Sequence, residues 1–209
     1  GYAKVGDNHI VVNLRGVNNK RYWVNQPLEA MELHKKACEC IINSDLWMYP
    51  RSSVIHMSSQ LCELLEGPNA LKEVCAGQES YRRPYMISRL HQEEMLTANA
   101  YKHGISSHFL RLSAVYGFAD DKDSPWVLNS LVKQYIQNKS IKPRAPNSFV
   151  YLCHRKPLIK YLRDLLSDYS QFVNKPTVVY SLPPTLKLLI SDLAEIIVNL
   201  GDTITSDNV

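Results

Sequence analysis

Ser53-Val54-Ile55-His56-Met57-Ser58-Ser59-Gln60 begins as a short apolar, β-branched run and closes on three polar residues. A run of this length is too brief for a helix and too apolar for an exposed loop. It fits a central strand of a parallel sheet, buried on both faces, whose carboxyl end opens into a cleft. Downstream, Pro84 introduces a helical stretch over 85–103 and Gly104 closes it, the order in which these two residues flank helices. A second apolar run, SHFLRLSAV, follows at 107–115. Upstream, HIVVNL at 9–14 reads as another buried strand, and 25–43 as a helix, since Leu28, Met31, Leu33, Ala37, Ile41 and Ile42 fall near helical spacing. Strand alternating with helix predicts an α/β fold with a parallel, doubly wound sheet, where ligands lie beyond the carboxyl ends of the strands.

Beyond Gly117 the pattern changes. A charged loop at 120–125 precedes an amphipathic helix at 126–139, and 142–146 carries two prolines and two basic residues. Shorter elements follow: a strand at 149–153, a helix from about 158 to 169, a strand at 178–182 and a last helix over 186–200 with Gly201 as its cap. This division predicts two domains, 1–118 with the doubly wound sheet and 119–209 as a smaller mixed α/β region on the substrate side.

Composition narrows the function classes. The 209 residues are 45% hydrophobic and 21% charged, ordinary for a globular protein. The net charge of +4 arises from 24 basic and 20 acidic residues that are interspersed, with no Lys/Arg run longer than two, so a nucleic-acid partner is not expected. The five cysteines, Cys38, Cys40, Cys62, Cys75 and Cys153, form an odd set without metal or CxxC spacing, and read as reduced thiols with no metal site. No apolar run approaches the roughly 18 residues needed to span a bilayer, and no signal-peptide pattern opens the chain, so a soluble, cytoplasmic protein is expected.

Three positions carry the chemistry. Ser59 ends a strand, Tyr85 follows at the start of the next helix, and Arg89 lies one helical turn further, on the same face as Tyr85. Ser58-Ser59, then Pro84-Tyr85-Met86-Ile87-Ser88-Arg89, then Glu93-Glu94, then Leu110-Arg111-Leu112-Ser113-Ala114-Val115-Tyr116-Gly117 resemble the successive signature blocks of the extended short-chain dehydrogenases/reductases, the NAD-dependent epimerase/dehydratase kind. The resemblance implies a Rossmann-like sheet, NAD or NADP as cofactor, a nucleotide-sugar or similar small molecule as substrate, and a homodimer formed through two long helices per subunit.

It also implies roles. A tyrosine has a free pKa of about 10 and acts as a base near neutrality only where something stabilises the phenolate. In the family a lysine one turn away does this and also holds the nicotinamide ribose, while a serine hydrogen-bonds the substrate oxygen. Carried over, Tyr85 is the acid/base, Ser59 the oxygen-orienting group, and Arg89 stands in the place of the lysine. By the same resemblance Leu14, Asn25, Tyr85, Arg89, Val115 and Tyr116 fall to the cofactor, and Ser58, Gln60, Ala114 and Arg144 to the substrate. Arg111 is expected to be structural, since its strand is central.

Four departures stand out. Arg89 replaces lysine, and its guanidinium is bulkier and gives up no proton. Ala114 stands where an asparagine is usual, Asn13-Leu14-Arg15 replaces His-Leu-Ala, and His154 replaces an acidic residue. The glycine-rich phosphate-binding turn is missing from the sequence, so the sheet is expected to be incomplete at its amino-terminal side, with further residues preceding Gly1 in the natural protein. Two further readings remain open: a non-catalytic member of the fold that binds or regulates, favoured by Arg89, Ala114 and the absent turn, and a purely structural fragment. The retained Ser59 and Tyr85 argue for an enzyme.

Overall fold

The computed structural model describes residues 2–5, 8–13, 20–49, 52–66, 82–117, 127–167 and 177–206. Leu14 and the charged stretch at 120–125 lie outside the described residues. The chain divides into two compact units, Gly1–Ser113 with Lys160–Pro183, and Ala114–Ile159 with Pro184–Val209. The division is interleaved, whereas the sequence suggests a single cut after residue 118.

The first unit holds a five-stranded sheet. In chain order its strands are β1 (Tyr2–Val5), β2 (Asn8–Asn13), β3 (Ser53–Ser59), β4 (Ser106–Leu112) and β7 (Val178–Ser181), arranged β1-β2-β3-β4-β7. The three strands expected at residues 9, 53 and 107 are parallel neighbours, with Ile10 opposite Ser53 and Ser53 opposite Ser106; β1 alone is antiparallel. Every residue of β3 is buried, as a central parallel strand requires.

Alternation along the strands sends Val54 and Phe109 to one face, where Cys38, Ile41, Leu96 and Ala100 cover them. Ile55, Met57 and Leu110 go to the other, where Leu165 joins them with Tyr161 and Leu162 beside it. The covering helices are α2 (Pro27–Ile42) and α4 (Arg82–His103) on the first face and the later half of α6 (Arg155–Ser167) on the second. Two short helices, α1 (Lys20–Asn25) and α3 (Glu63–Glu66), complete the unit.

The structure corrects several boundaries. The helix expected over 25–43 is α2, which begins two residues later at Pro27: Gln26, at φ −139° and ψ 56°, is non-helical, as a residue before proline tends to be, and separates α2 from α1. The strand expected over 107–115 breaks at Ser113, because β4 pairs with β3 and β7, whereas β5 (Ala114–Tyr116) pairs in the second sheet. Helix α4 starts at Arg82, with Pro84 tolerated in its first turn. It ends as expected at Gly104, whose φ of +65° allows Gly104 N to donate to Tyr101 O and Ile105 N to Ala100 O. This pair of bonds is a Schellman cap, and Ile105 and Ala100 share one apolar cluster beneath it.

The second unit contains α5 (Val127–Asn138), β6 (Phe149–His154), β8 (Leu186–Leu189) and α7 (Ile190–Ser206), with sheet order β5-β6-β8. Residues 186–189, expected to open the last helix, are a strand antiparallel to β6. Gly201 does not cap that helix but lies within it, where an added Cβ would overlap the Tyr135 ring of α5. Val150, Leu152, Leu131 and Leu193 form this unit's core.

Candidate active site

Helix α4 delivers Tyr85 in its first turn and Arg89 one turn later. Arg89 Nε donates to the Tyr85 hydroxyl across a long 3.4 Å, and the guanidinium carbon lies 5.4 Å from the phenol centroid, so the cation serves both the oxygen and the ring. Arg89 is only 5% exposed. It runs inward: its Nη1 donates to Met57 O at 3.3 Å and to Gln92 Oε1 at 3.1 Å. The same Gln92 donates through Nε2 to His34 O on α2 at 2.7 Å, and His34 Nδ1 meets Ser88 Oγ at 3.0 Å.

Rings enclose the phenol. Trp23 of α1 stands edge-on to Tyr85 with centroids 5.4 Å apart, His34 lies 6.1 Å away, and Trp23 and His34 meet at 5.0 Å. Tyr85 therefore sits in a box of one indole, one imidazole and one guanidinium.

On β3, His56 is fully buried, its Nδ1 accepting from Asn13 Nδ2 at 2.9 Å. Burial, with the Arg89 and His34 charges adding to it and Gln92 opposing, lowers the His56 pKa to about 3, so the imidazole is neutral at ordinary pH. Burial also pushes the Cys38 and Cys62 thiols up, to about 12 and about 11. Neither is a nucleophile near neutrality.

Ser58 and Ser59 part company at the end of β3. Ser58 is turned under α4, where its hydroxyl donates to Glu93 Oε1 at 2.5 Å, and Glu93 in turn holds Arg111 of β4 by two bonds, Nε to Oε1 at 3.1 Å and Nη2 to Oε2 at 2.7 Å. This buried two-point ion pair ties α4 to the sheet, the structural part expected of Arg111. Ser59 caps the 3-10 turn Gln60–Cys62, its Oγ accepting from Leu61 N at 3.3 Å. Among the described residues no hydrogen bond joins Ser59 to Tyr85.

The remaining expected residues lie on other elements. Gln60 begins the 3-10 turn half-buried, Asn25 is exposed at the end of α1, and Arg144 is exposed between α5 and β6. Ala114, Val115 and Tyr116 form β5 of the second unit. Within that unit the departure at His154 has a local explanation. His154 precedes α6, and its Nδ1 accepts from Lys156 N at 3.2 Å, the capping bond an acidic side chain would make there. Its ring meets Tyr116 at 5.0 Å and crowds Gly117, φ +101°, where a Cβ would stand 2.8 Å from Nε2.

Residues 3–148 match the model of the NAD dependent epimerase/dehydratase family. The chain belongs to that family. No curated protein matches it in sequence. Among solved structures, the fold is that of a UDP-N-acetylglucosamine 4-epimerase from Methanobrevibacter ruminantium (20% identity, TM-score 0.70, 92% of this chain and 60% of the other). Similar too are DesIV, a dTDP-glucose 4,6-dehydratase from Streptomyces venezuelae solved with NAD (14%, 0.68, 92% and 57%), and a UDP-glucose 4-epimerase from Thermus thermophilus solved with NAD (12%, 0.68, 91% and 61%). This family member thus spans about three fifths of the length of those relatives.

A phenol in the first turn of α4 with a guanidinium at its oxygen is a pair suited to exchanging a proton with a bound hydroxyl. The eight glycines, at 1, 6, 16, 67, 77, 104, 117 and 201, include no glycine-rich turn to cradle a pyrophosphate.

Sequence reasoning missed Trp23, His34, His56 and Gln92. A signal existed for His34, which shares the buried face of α2 with Ala30, Ala37, Cys38 and Ile41, and for His56, which interrupts an apolar strand. Buried polar side chains on otherwise apolar faces mark places where a partner must exist.

Proposed function

We propose that the protein acts as an NAD- or NADP-dependent epimerase, dehydratase or reductase on a nucleotide-activated sugar. The observation that carries this reading is the Tyr85–Arg89 pair in the first two turns of α4, at the carboxyl end of the parallel sheet. The dinucleotide supplies the hydride acceptor. Tyr85 takes the proton from the reacting hydroxyl as the hydride leaves the same carbon, and Arg89 Nε stands within hydrogen-bond reach of the Tyr85 oxygen. Ser59, at the same end of β3, orients the substrate oxygen. Recognition of the sugar nucleotide is assigned to the part of residues 119–209 that lies in the second unit, with a cytoplasmic homodimer as the working form.

The burial of Arg89 favours a second reading, a non-catalytic member that binds or regulates, because its Nη1 is engaged by Met57 and Gln92. Assay of a panel of nucleotide sugars with both cofactors decides between them. In the enzyme reading Tyr85→Phe should abolish turnover and leave dinucleotide affinity nearly intact, and Arg89→Lys should retain activity. Absence of turnover in both wild type and Arg89→Lys would establish the non-catalytic reading instead.

A further inference from the structure

The Arg89 guanidinium meets the amide of Gln92, one turn along α4. Gln92, 1% exposed, accepts from Arg89 Nη1 through Oε1 and donates through Nε2 to His34 O, so its two ends tie the guanidinium of α4 to the backbone of α2. The same α2 residue supplies one wall of the Tyr85 box, and its imidazole is itself fixed by Ser88. A guanidinium on a flexible stem adopts many rotamers, and two fixed acceptors, Met57 O and Gln92 Oε1, select the one that turns Nε toward the phenol. The carbonyl of Met57 belongs to β3 and cannot be altered by substitution, whereas Gln92 is a support that can be.

We propose that Gln92 is a positioning residue for catalysis, holding Arg89 inward so that its Nε faces the Tyr85 hydroxyl. Arg89 then acts on the phenol from inside the protein and not as a clamp on the cofactor ribose. The proposal rests on the reading of Tyr85 as the acid/base group. Its chemical content is separable from that reading, because the Arg89–Gln92 bond is present whether or not the protein turns over substrate. Two properties of the amide matter in different ways: the Oε1 acceptor restrains Arg89, and the Nε2 donor anchors the amide to α2. Loss of the acceptor should release the guanidinium, whereas loss of the donor alone should leave it in place.

The test uses nitrogen-labelled full chain and reads the Nε–H signals of Arg89 and Arg111, assigned from Arg89→Lys and Arg111→Lys. Arg111, held by Glu93, is the internal control for folding. Gln92→Met removes both hydrogen-bonding ends and should speed hydrogen exchange at Arg89 Nε about tenfold, with Arg111 unchanged. Gln92→Glu keeps the acceptor and should leave Arg89 as protected as in wild type. If Gln92→Met loses the Arg111 signal, and with it the fold, Gln92→Asn withdraws the same amide by one carbon and should give the same release of Arg89. With substrate, Gln92→Met should lower kcat about tenfold and leave KM near its wild-type value, with Gln92→Glu restoring most of kcat. Unchanged Arg89 exchange in a folded Gln92→Met or Gln92→Asn variant overturns the proposal. So does a loss confined to KM. Wild type without turnover would refute the enzyme reading, and the exchange measurement would still decide whether Gln92 holds Arg89.

Discussion

His56 shows how a single residue can carry a pH dependence for the whole first unit. Its imidazole is neutral in the folded protein, with a pKa of about 3 against 6.5 when free, so the folded state resists taking up a proton that the unfolded chain accepts. Stability from this group is complete above pH 6.5 and is lost as pH falls toward 3, at up to about 1.4 kcal/mol per pH unit. Urea unfolding across that range should show a steeper fall in wild type than in His56→Gln, with the two curves parallel above neutrality. At this scale Tyr85 and Arg89 were legible because four residues on one helix define one face, which sequence spacing reports directly. Trp23, His34, Gln92 and His56 were not, because α1, α2, α4 and β3 each contribute one member and only the tertiary fold brings them together. The inward course of Arg89 was hidden for the same reason, since the Met57 carbonyl that receives it is a backbone group on another element.

Elements ended where local chemistry spoke plainly. Gly104 was readable because a left-handed residue after a long helix is a local requirement, and the glycine meets it alone. Gly201 was misread as the same device. Its reason for being glycine is the Tyr135 ring of α5, a contact that no local pattern announces. The two glycines should respond differently to alanine. Nothing lies within 4 Å of a Cβ at Gly104, so Gly104→Ala should cost about 1 kcal/mol through backbone strain alone. Gly201→Ala improves helix propensity by about 1 kcal/mol yet must displace an aromatic ring whose hydroxyl donates to Asp202, and a net loss of about 1–3 kcal/mol is expected. Denaturant melts of each variant check both values, and adding Tyr135→Leu should recover part of the second loss only. The break at Ser113 was equally invisible in sequence, since no glycine or proline interrupts 107–115 and only the change of partner strands divides it.

The whole molecule presents apolar residues on the faces of α2 and α4 that do not pack on each other. Leu28 is 81% exposed and Tyr101 89%, with Leu33 and Ile87 each 42% exposed on the same two helices. A homodimer that covers this surface is the expected state. Sedimentation at micromolar concentration should show it, and Leu28→Arg with Ile87→Arg should return the monomer; a monomeric wild type would refute the assignment. The parallel sheet was legible at this scale because strand and helix alternate in the sequence. The interleaving of the two units was not, because nothing in residues 160–183 advertises that they return to the first sheet. That return bears on how the protein is made. The sheet face carrying Ile10, Ile55 and Leu110 is sheathed by Tyr161, Leu162 and Leu165, which leave the ribosome more than 50 residues after Leu110. At ordinary synthesis speeds the interval is about 3–10 seconds, far longer than hydrophobic collapse takes. Through that interval the nascent chain carries one oily sheet face with no helix to shelter it, the kind of surface that chaperones exist to shield.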